Sequence, residues 1–350
     1  LNYTAFAIAT SALASFVLAE LLVLTANHHG RFTMDIPGAI QKFHSHPTPR
    51  IGGIGIYLAL LVSSALVPDP DASNILATIL VAGVPALLVG LMEDITKKVG
   101  VMVRLVATMV SGALACWLSG VSLTHLNVPL VDALLGVTMV SLLFTAVAVA
   151  GVANAINIID GFNGLASGTA TLCLLALASI AALVDDTPLA LTAVIMAAAV
   201  IGFWLVNFPW GKLFLGDGGA YFAGFALAWI AVLLPMRNAA VSPWASFLVC
   251  AYPIIEVIYS IVRRRQRRQS AGDADRHHLH SLVATQIIQR RLPRLHPTLQ
   301  NSAVSVIMWI CAAVPAIAAI ALYQRTDLLV IAAIACVIAY HFIYRRVARA

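Results

Sequence analysis

The sequence predicts an all-α polytopic membrane protein with about eleven transmembrane helices, and three observations lead there. Of its 350 residues 61% are apolar and only 10% charged, whereas a soluble domain needs about a quarter of its residues charged to solvate its surface. The apolar residues run in long unbroken stretches, unlike the short alternating segments of a membrane barrel. Lys and Arg are confined almost entirely to alternate connectors between those stretches.

The apolar stretches fall at roughly 3–25, 51–67, 74–92, 103–120, 133–152, 167–184, 188–206, 218–235, 244–262, 301–322 and 328–344, each near the roughly 20 residues a helix needs to cross a bilayer. The first lacks a basic start and a small-residue cleavage site, so it reads as a retained helix rather than a signal peptide. One integral-membrane domain over 1–350 is expected, with a large basic loop at 263–298. No internal repeat of useful length breaks it up.

Nineteen of the 21 Lys and Arg fall on the connectors after the odd-numbered stretches and on the C-terminal tail; Arg237 and Arg325 are the other two. That asymmetry makes the basic set cytoplasmic, C-terminus included. It also accounts for the net charge of +6 without nucleic acid. Arg263, Arg264, Arg265, Arg267 and Arg268 follow a stretch directly and read as topology anchors near anionic lipid. The five cysteines lie inside apolar stretches without metal-ligand spacing and read as small core residues. Asp71, Ser73 and Asp327 suit helix starts on the other face.

Five elements on the basic face carry polar residues that their surroundings do not explain. In Lys42–Arg50, two prolines hold the chain extended ahead of Ile51-Gly52-Gly53-Ile54-Gly55. The glycines resemble a phosphate loop only superficially, because no strand precedes them; Lys42 and Arg50 are expected as interfacial cations beside exposed backbone donors. Glu93 and Asp94 end the third stretch, where two carboxylates oppose the helix dipole. They read as an acidic pair beside a polyphosphate-binding Lys97, against the simpler reading of a neutralised surface cluster.

Asn154, Asn157 and Asp160 recur every three residues, within about 120° of one another on a helix. A polar stripe ending an apolar span argues for a ligand or a cation, against an interhelical hydrogen-bond network. Asp217, in Phe214-Leu215-Gly216-Asp217-Gly218-Gly219, either caps a helix or, with no cation near it in sequence, holds a metal. Magnesium suits such oxygen donors because it keeps positions open for substrate phosphates. In Asp275-Arg276-His277-His278-Leu279-His280 the histidines suit a diphosphate better than zinc, since no cysteine accompanies them.

Asn154 through Gly164, Phe214 through Asp217 and the histidine cluster together resemble the polyprenyl-phosphate N-acetylhexosamine-1-phosphate transferases, in that family's motif order. The resemblance covers about Lys42 to His280. It implies a multi-pass enzyme of the bacterial inner membrane with a cytoplasmic active-site cleft. The implied reaction moves a sugar 1-phosphate from a UDP-sugar to polyprenyl (undecaprenyl) phosphate and releases UMP. It further implies Mg²⁺, with Mn²⁺ as the alternative, on Asp217 and Asn157, and catalytic roles among Glu93, Asp94, Asp160 and Asp217. Asn163 and Phe214 match nucleobase contacts. Lys42, Lys97, Asn154, His277, His278 and His280 are further substrate-binding candidates, and a homodimer is implied.

Four features depart from the pattern: Glu93 replaces an aspartate, Asn163 stands where many members carry one, Ala220 replaces a frequent serine, and the histidine cluster lacks an acidic neighbour. They look more like the branch that initiates O-antigen or common antigen than the peptidoglycan enzyme. The competing readings are the peptidoglycan first-step transferase, and a transporter or scaffold for lipid-linked sugars. A transporter should place charge at mid-membrane, where Glu20 is the clearest candidate.

Overall fold

The computed structural model describes residues 3–35, 47–266 and 277–349. Helix α1 (Tyr3–Leu24) is followed by α2 (Ala26–Thr33) and an antiparallel pair, β1 (Met34–Asp35) with β2 (Thr48–Pro49). Next come α3 (Gly52–Ser64), α4 (Pro70–Ala82), α5 (Val84–Thr96), α6 (Val101–Ser119), α7 (Pro129–Leu135) and α8 (Thr138–Ile158). Then follow α9 (Leu165–Leu183), α10 (Thr187–Asn207), α11 (Gly216–Arg237), α12 (Pro243–Val249) and α13 (Ala251–Gln266). The chain closes with α14 (Leu279–Leu282), a π-helical turn (Val283–Ile288), α15 (Gln289–Arg291), α16 (Pro297–Leu322) and α17 (Thr326–Ala348).

The protein is an all-α polytopic membrane protein. Among the described residues eight helices are long and apolar enough to cross a membrane, or ten if α4–α5 and α12–α13 each form one bent span. The expected eleventh is α3, whose 13 residues reach about 20 Å against a hydrocarbon core of roughly 30 Å. The apolar run at 51–67 overstates this helix because its last residues form a turn, which composition does not reveal.

Both bends have local causes. At the α12–α13 break, 76°, Pro253 lacks the N–H that would bond the Val249 carbonyl; the Cys173 thiol donates to that carbonyl instead, at 3.2 Å. At the 40° break between α4 and α5, the Ala86 N–H leaves the helical ladder for the Ser111 hydroxyl of α6, at 3.1 Å.

Helix α11 is the buried centre, packed by α8, α5, α3 and α9. Its start is nearly side-chain-free, and there its neighbours approach most closely. A Cβ on Gly53 would overlap the Gly219 backbone, and one on Gly90 would sit 2.5 Å from the Gly218 Cα. Small residues at these crossings permit the backbone approach that membrane helices use in place of a hydrophobic drive. The glycines that begin α3 are therefore a packing device. The N–H groups of Gly52 and Gly53 are not exposed, because they donate to the carbonyls of Phe214 and Leu215 at 3.0 and 3.1 Å.

Helix α1 runs along α10 and α3, with Ser11 donating to the Ile195 carbonyl at 2.9 Å. Its Glu20 lies near the helix end and pairs with Lys212 at 3.5 Å, so it supplies no mid-membrane charge. At the opposite end of the bundle, the Asp69 and Asp186 side chains accept from the first turns of α4 and α10. Asp186 also pairs with Arg237 at 2.8 Å. The stretch at 263–298 is not a solvated loop throughout: Leu279, Val283 and Ile288 are buried, and α14 and the π-helical turn lie against α16 and α17. Asp275 and Arg276 lie outside the described residues.

Gly216 has φ +75°, and a Cβ there would strike the Arg50 carbonyl and come within 2.6 Å of the Asp94 carboxylate. Gly216→Ala should cost about 2 kcal/mol, combining left-handed strain with overpacking, read as a lower unfolding midpoint in detergent. Gly151→Ala, whose Cβ would meet nothing within 4 Å, should leave the midpoint unchanged or raise it slightly.

Candidate active site

The C-terminal end of α5 and the N-terminal end of α11 meet through Asp94. Its fully buried carboxylate accepts the N–H groups of Asp217 and Gly218, both at 2.9 Å, and the Arg50 Nε at 3.0 Å. An acid that opposes the dipole of its own helix thus satisfies the orphan donors of another. The resulting pull brings Asp217 into the first turn of α11, pointing at two arginines.

Arg50 Nη2 meets Asp217 Oδ1 at 2.9 Å, and Arg104, from the start of α6, takes Oδ2. Arg50 also lies 3.7 Å from Asp35. Burial pulls the Arg50 guanidinium down, but Asp94, Asp217 and Asp35 outweigh it and hold the charge above its ordinary value. The expectation that Asp217 has no cation to pair with is therefore corrected: both arginines are remote in sequence and converge only in the fold. Every nitrogen of Arg50 faces a carboxylate, whereas among the described residues the buried Arg104 Nε has no hydrogen-bond partner.

Of the predicted stripe, Asn154 and Asn157 lie on α8 and Asp160 in the turn after it, with Arg50, Asp217 and Asp94 as its charged neighbours. Asn154 accepts weakly from Tyr221 at 3.4 Å, and Arg104 lies over the Tyr221 ring. Among the described residues the Asn157 amide and the Asp160 carboxyl have no hydrogen-bonding side-chain or backbone partner, nor Asp160 an ion pair. The Asp160 carboxyl is pushed up to about 8, mainly by burial; Arg50 opposes the shift while Asp217 and Asp94 add to it. Glu93 closes the α5–α6 turn by accepting the Val99 N–H at 2.7 Å. Lys97, at φ 58°, donates to the Asp94 carbonyl at 2.6 Å. Lys42 lies outside the described residues.

The histidines join the cluster through the α8–α9 turn. His280 packs edge-on against Phe162, with ring centroids 5.6 Å apart, and its Nε2 would lie 3.8 Å from a Cβ on Gly161. His278 stacks on His280 at 5.2 Å, and both are buried, while His277 is exposed. The acid that the sequence did not show near these histidines is Glu256 of α13, bonded to His278 Nδ1 at 2.9 Å.

Asn163, expected at a nucleobase, is buried, and its amide donates to the Pro209 carbonyl at 3.1 Å and the Ser302 hydroxyl at 3.3 Å. Its N–H donates to Asn301 at 2.7 Å, and the Gly164 N–H donates to Asn207 at 2.6 Å. Asn207 in turn donates to the Leu213 carbonyl at 2.7 Å. These bonds tie the Asp160 turn to the segment that starts α11. Phe214 is half-buried at the site's edge, its backbone fixed between Pro49 and Gly52.

Arg104, Glu256, Asn207 and Asn301 were not singled out from the sequence. Arg104 passed as a topological charge, although its place at a span entrance was a signal. Glu256 was an acid inside an apolar stretch, and such residues seldom lack a role.

For a divalent cation the donors present fit in kind: Asp160, Asn157 and Asp217 offer hard oxygens, and magnesium needs only one or two carboxylates when substrate phosphates complete its shell. The described residues contain no group of three His, Cys, Asp or Glu able to hold a metal by themselves, so protein ligands alone do not build a closed cage here.

Residues 76–235 match the family model described as Glycosyl transferase family 4, so the stretch from α4 to α11 carries that family's pattern. A probable undecaprenyl-phosphate N-acetylglucosaminyl 1-phosphate transferase of Bacillus subtilis is 25% identical, over 69% of this chain and 66% of that protein. A decaprenyl-phosphate N-acetylglucosaminephosphotransferase of Mycobacterium leprae is 29% identical, over 69% and 67%. An undecaprenyl-phosphate alpha-N-acetylglucosaminyl 1-phosphate transferase of Escherichia coli K12 is 27% identical, over 69% and 67%. The chain thus spans about two thirds of the length of the curated relatives it matches.

Because the folded protein favours protonated Asp160, that stabilisation is complete below the ordinary carboxylate value of 3.8 and is lost as pH rises through about 8. With EDTA present, the unfolding midpoint should fall between about pH 4 and about pH 8, more steeply than in Asp160→Asn, and the difference should level off above that range. An equal slope in the two proteins would show that Asp160 is not the group titrating.

Proposed function

We propose that this chain is a member of Glycosyl transferase family 4 that transfers N-acetylhexosamine 1-phosphate from a UDP-sugar to polyprenyl phosphate. The products are polyprenyl-diphospho-sugar and UMP. The observation that carries the reading is the convergence, at one end of a membrane bundle, of Arg50, Arg104, Asp94, Asp217 and Asp160. The names of the relatives support the same chemistry.

An oxygen of the lipid phosphate attacks the phosphorus that bears the sugar. A new P–O bond forms, the P–O bond to UMP breaks, and the electron pair leaves on the UMP phosphate. Such transfer needs positioning and charge neutralisation more than covalent chemistry. Arg104 is suited to the diphosphate because its guanidinium stands beside Asp217 at the start of α11. His278, His280 and Lys97 supply further donors, and Phe214 offers a ring for the nucleobase. Asp217, Asn157 and Asp160 would hold Mg²⁺, or Mn²⁺, which when bound neutralises phosphate charge.

The cation asymmetry supports a cytoplasmic site in a bacterial inner membrane. The departures at Glu93, Asn163 and Ala220 support the O-antigen or common-antigen branch. Purified protein in detergent, given polyprenyl phosphate, Mg²⁺ and a panel of UDP-N-acetylhexosamines, should release UMP. EDTA should abolish release, and Asp217→Ala should lower it by about a hundredfold or more. Turnover only of the UDP-muramoyl-pentapeptide would move the chain to the peptidoglycan branch. No release with any donor would favour a transporter or scaffold, and full activity of Asp217→Ala would remove this residue from the chemistry.

A further inference from the structure

We infer that Glu256 is a positioning residue for the histidine cluster: it fixes the ring of His278, and with it the placement of His280 over the Asp160 turn. The inference rests on the reading of these histidines as diphosphate donors.

Glu256 is a fully buried carboxylate in an otherwise apolar part of α13. A carboxylate taken out of water costs several kcal/mol unless its lone pairs are used, and here both oxygens are engaged. Oε1 meets His278 Nδ1 at 2.9 Å and accepts the Leu279 N–H at 3.1 Å; Oε2 accepts the Tyr340 hydroxyl of α17 at 2.8 Å. The first two contacts fall on the two residues just before His280. The backbone on the other side of His278 is held as well. The His277 carbonyl accepts from Arg263 at 2.6 Å and from the Tyr344 hydroxyl at 3.0 Å. Glu256 therefore grips the segment from beneath while the arginine and tyrosine grip its entrance.

The consequence for the site is orientational. A carboxylate on Nδ1 selects the ring nitrogen that carries the proton there and fixes the plane of the imidazole. His278 is nearly parallel to His280, at an interplanar angle of 5°, and His280 contacts Phe162. Turning the first ring would thus disturb the second, and with it the packing over Gly161. Glu256 touches none of the cluster formed by Asp94 and Asp217, so its influence runs through the histidines.

The test combines a spectroscopic and a kinetic arm. In protein labelled with ¹⁵N-histidine, the His278 ring signals are identified by their loss in His278→Gln. The wild type should show a proton held on Nδ1; Glu256→Gln, whose amide oxygen still accepts, should keep it, and Glu256→Ala should lose it. In the UMP-release assay Glu256→Ala should raise KM for the UDP-sugar or lower kcat roughly tenfold, with Glu256→Gln retaining most activity. The double variant Glu256→Ala, His278→Ala should be no worse than His278→Ala alone within about threefold. An unchanged Nδ1 signature in Glu256→Ala, or fully multiplicative losses, would overturn the role of Glu256. Wild-type activity in His278→Ala would instead overturn the reading of the histidines, and the ¹⁵N result would still decide the Glu256–His278 pair.

Discussion

Everything at the polar end of this bundle depends on one carboxylate accepting the start of one helix. Asp94 is fully buried, so its charge is sustained only by the donors around it: two backbone N–H groups of α11 and the Arg50 guanidinium. Losing one partner from such a group costs far more than the pair is worth on balance, because the other charge is left in low dielectric. Asp94 therefore fixes three things together: the end of α5, the entry of Arg50 ahead of α3, and the first turn of α11. The glycines at those crossings make the contact geometrically available. With side chains at Gly53, Gly90, Gly218 or Gly219, the backbones would stand too far apart for a single carboxylate to bridge them.

The α8–α9 turn is the second fixed point, and its rigidity has a different source. Asn207 of α10 and Asn301 of α16 accept from the backbone of its last two residues, while the Asn163 side chain donates out of it to Pro209 and Ser302. Trp309 adds a bond from its indole to the Gly164 carbonyl at 3.2 Å. A buried polar network of this kind specifies a conformation when its members are satisfied. Asp160 is carried on that turn between the arginine cluster and the histidines. Its charged neighbours are Arg50, Asp217 and Asp94, while the histidines pack on the next residues of the turn, Gly161 and Phe162.

Much of this was legible in the sequence, because the strongest signals were polar residues in places where lipid would otherwise lie. The stripe of Asn154, Asn157 and Asp160 was readable from a spacing of three, and Asp217 from its position in a glycine cluster at a helix start. Long-range pairing was not readable. Asp94 and Gly218 are 124 positions apart, and nothing local to Glu93-Asp94 marks one as a helix-capping anchor and the other as the residue closing a turn. The bonds of the Asn163 side chain were not readable either, because Pro209, in the turn after α10, and Ser302 of α16 are remote in sequence. Apolar composition also hides local breaks: it persists through the turn after α3 and through both bends, where backbone hydrogen bonding changes but hydropathy does not.

The two arginines on Asp217 have different capacities, and this difference organises the site. Arg50 is spent: Nε lies against Asp94, Nη2 against Asp217 and Nη1 near Asp35. It acts as a structural hub, and turning it toward a ligand would break the contact that seats α11. Arg104 holds Asp217 from the opposite side through Nη1, yet among the described residues its buried Nε has no partner. A guanidinium has five donors in a rigid fork, and Arg104 commits only part of that fork to Asp217. An unsatisfied buried donor costs about 1–3 kcal/mol. The site is thus built from one arginine committed to the fold and one left incomplete, with Asp217 between them as their shared anion.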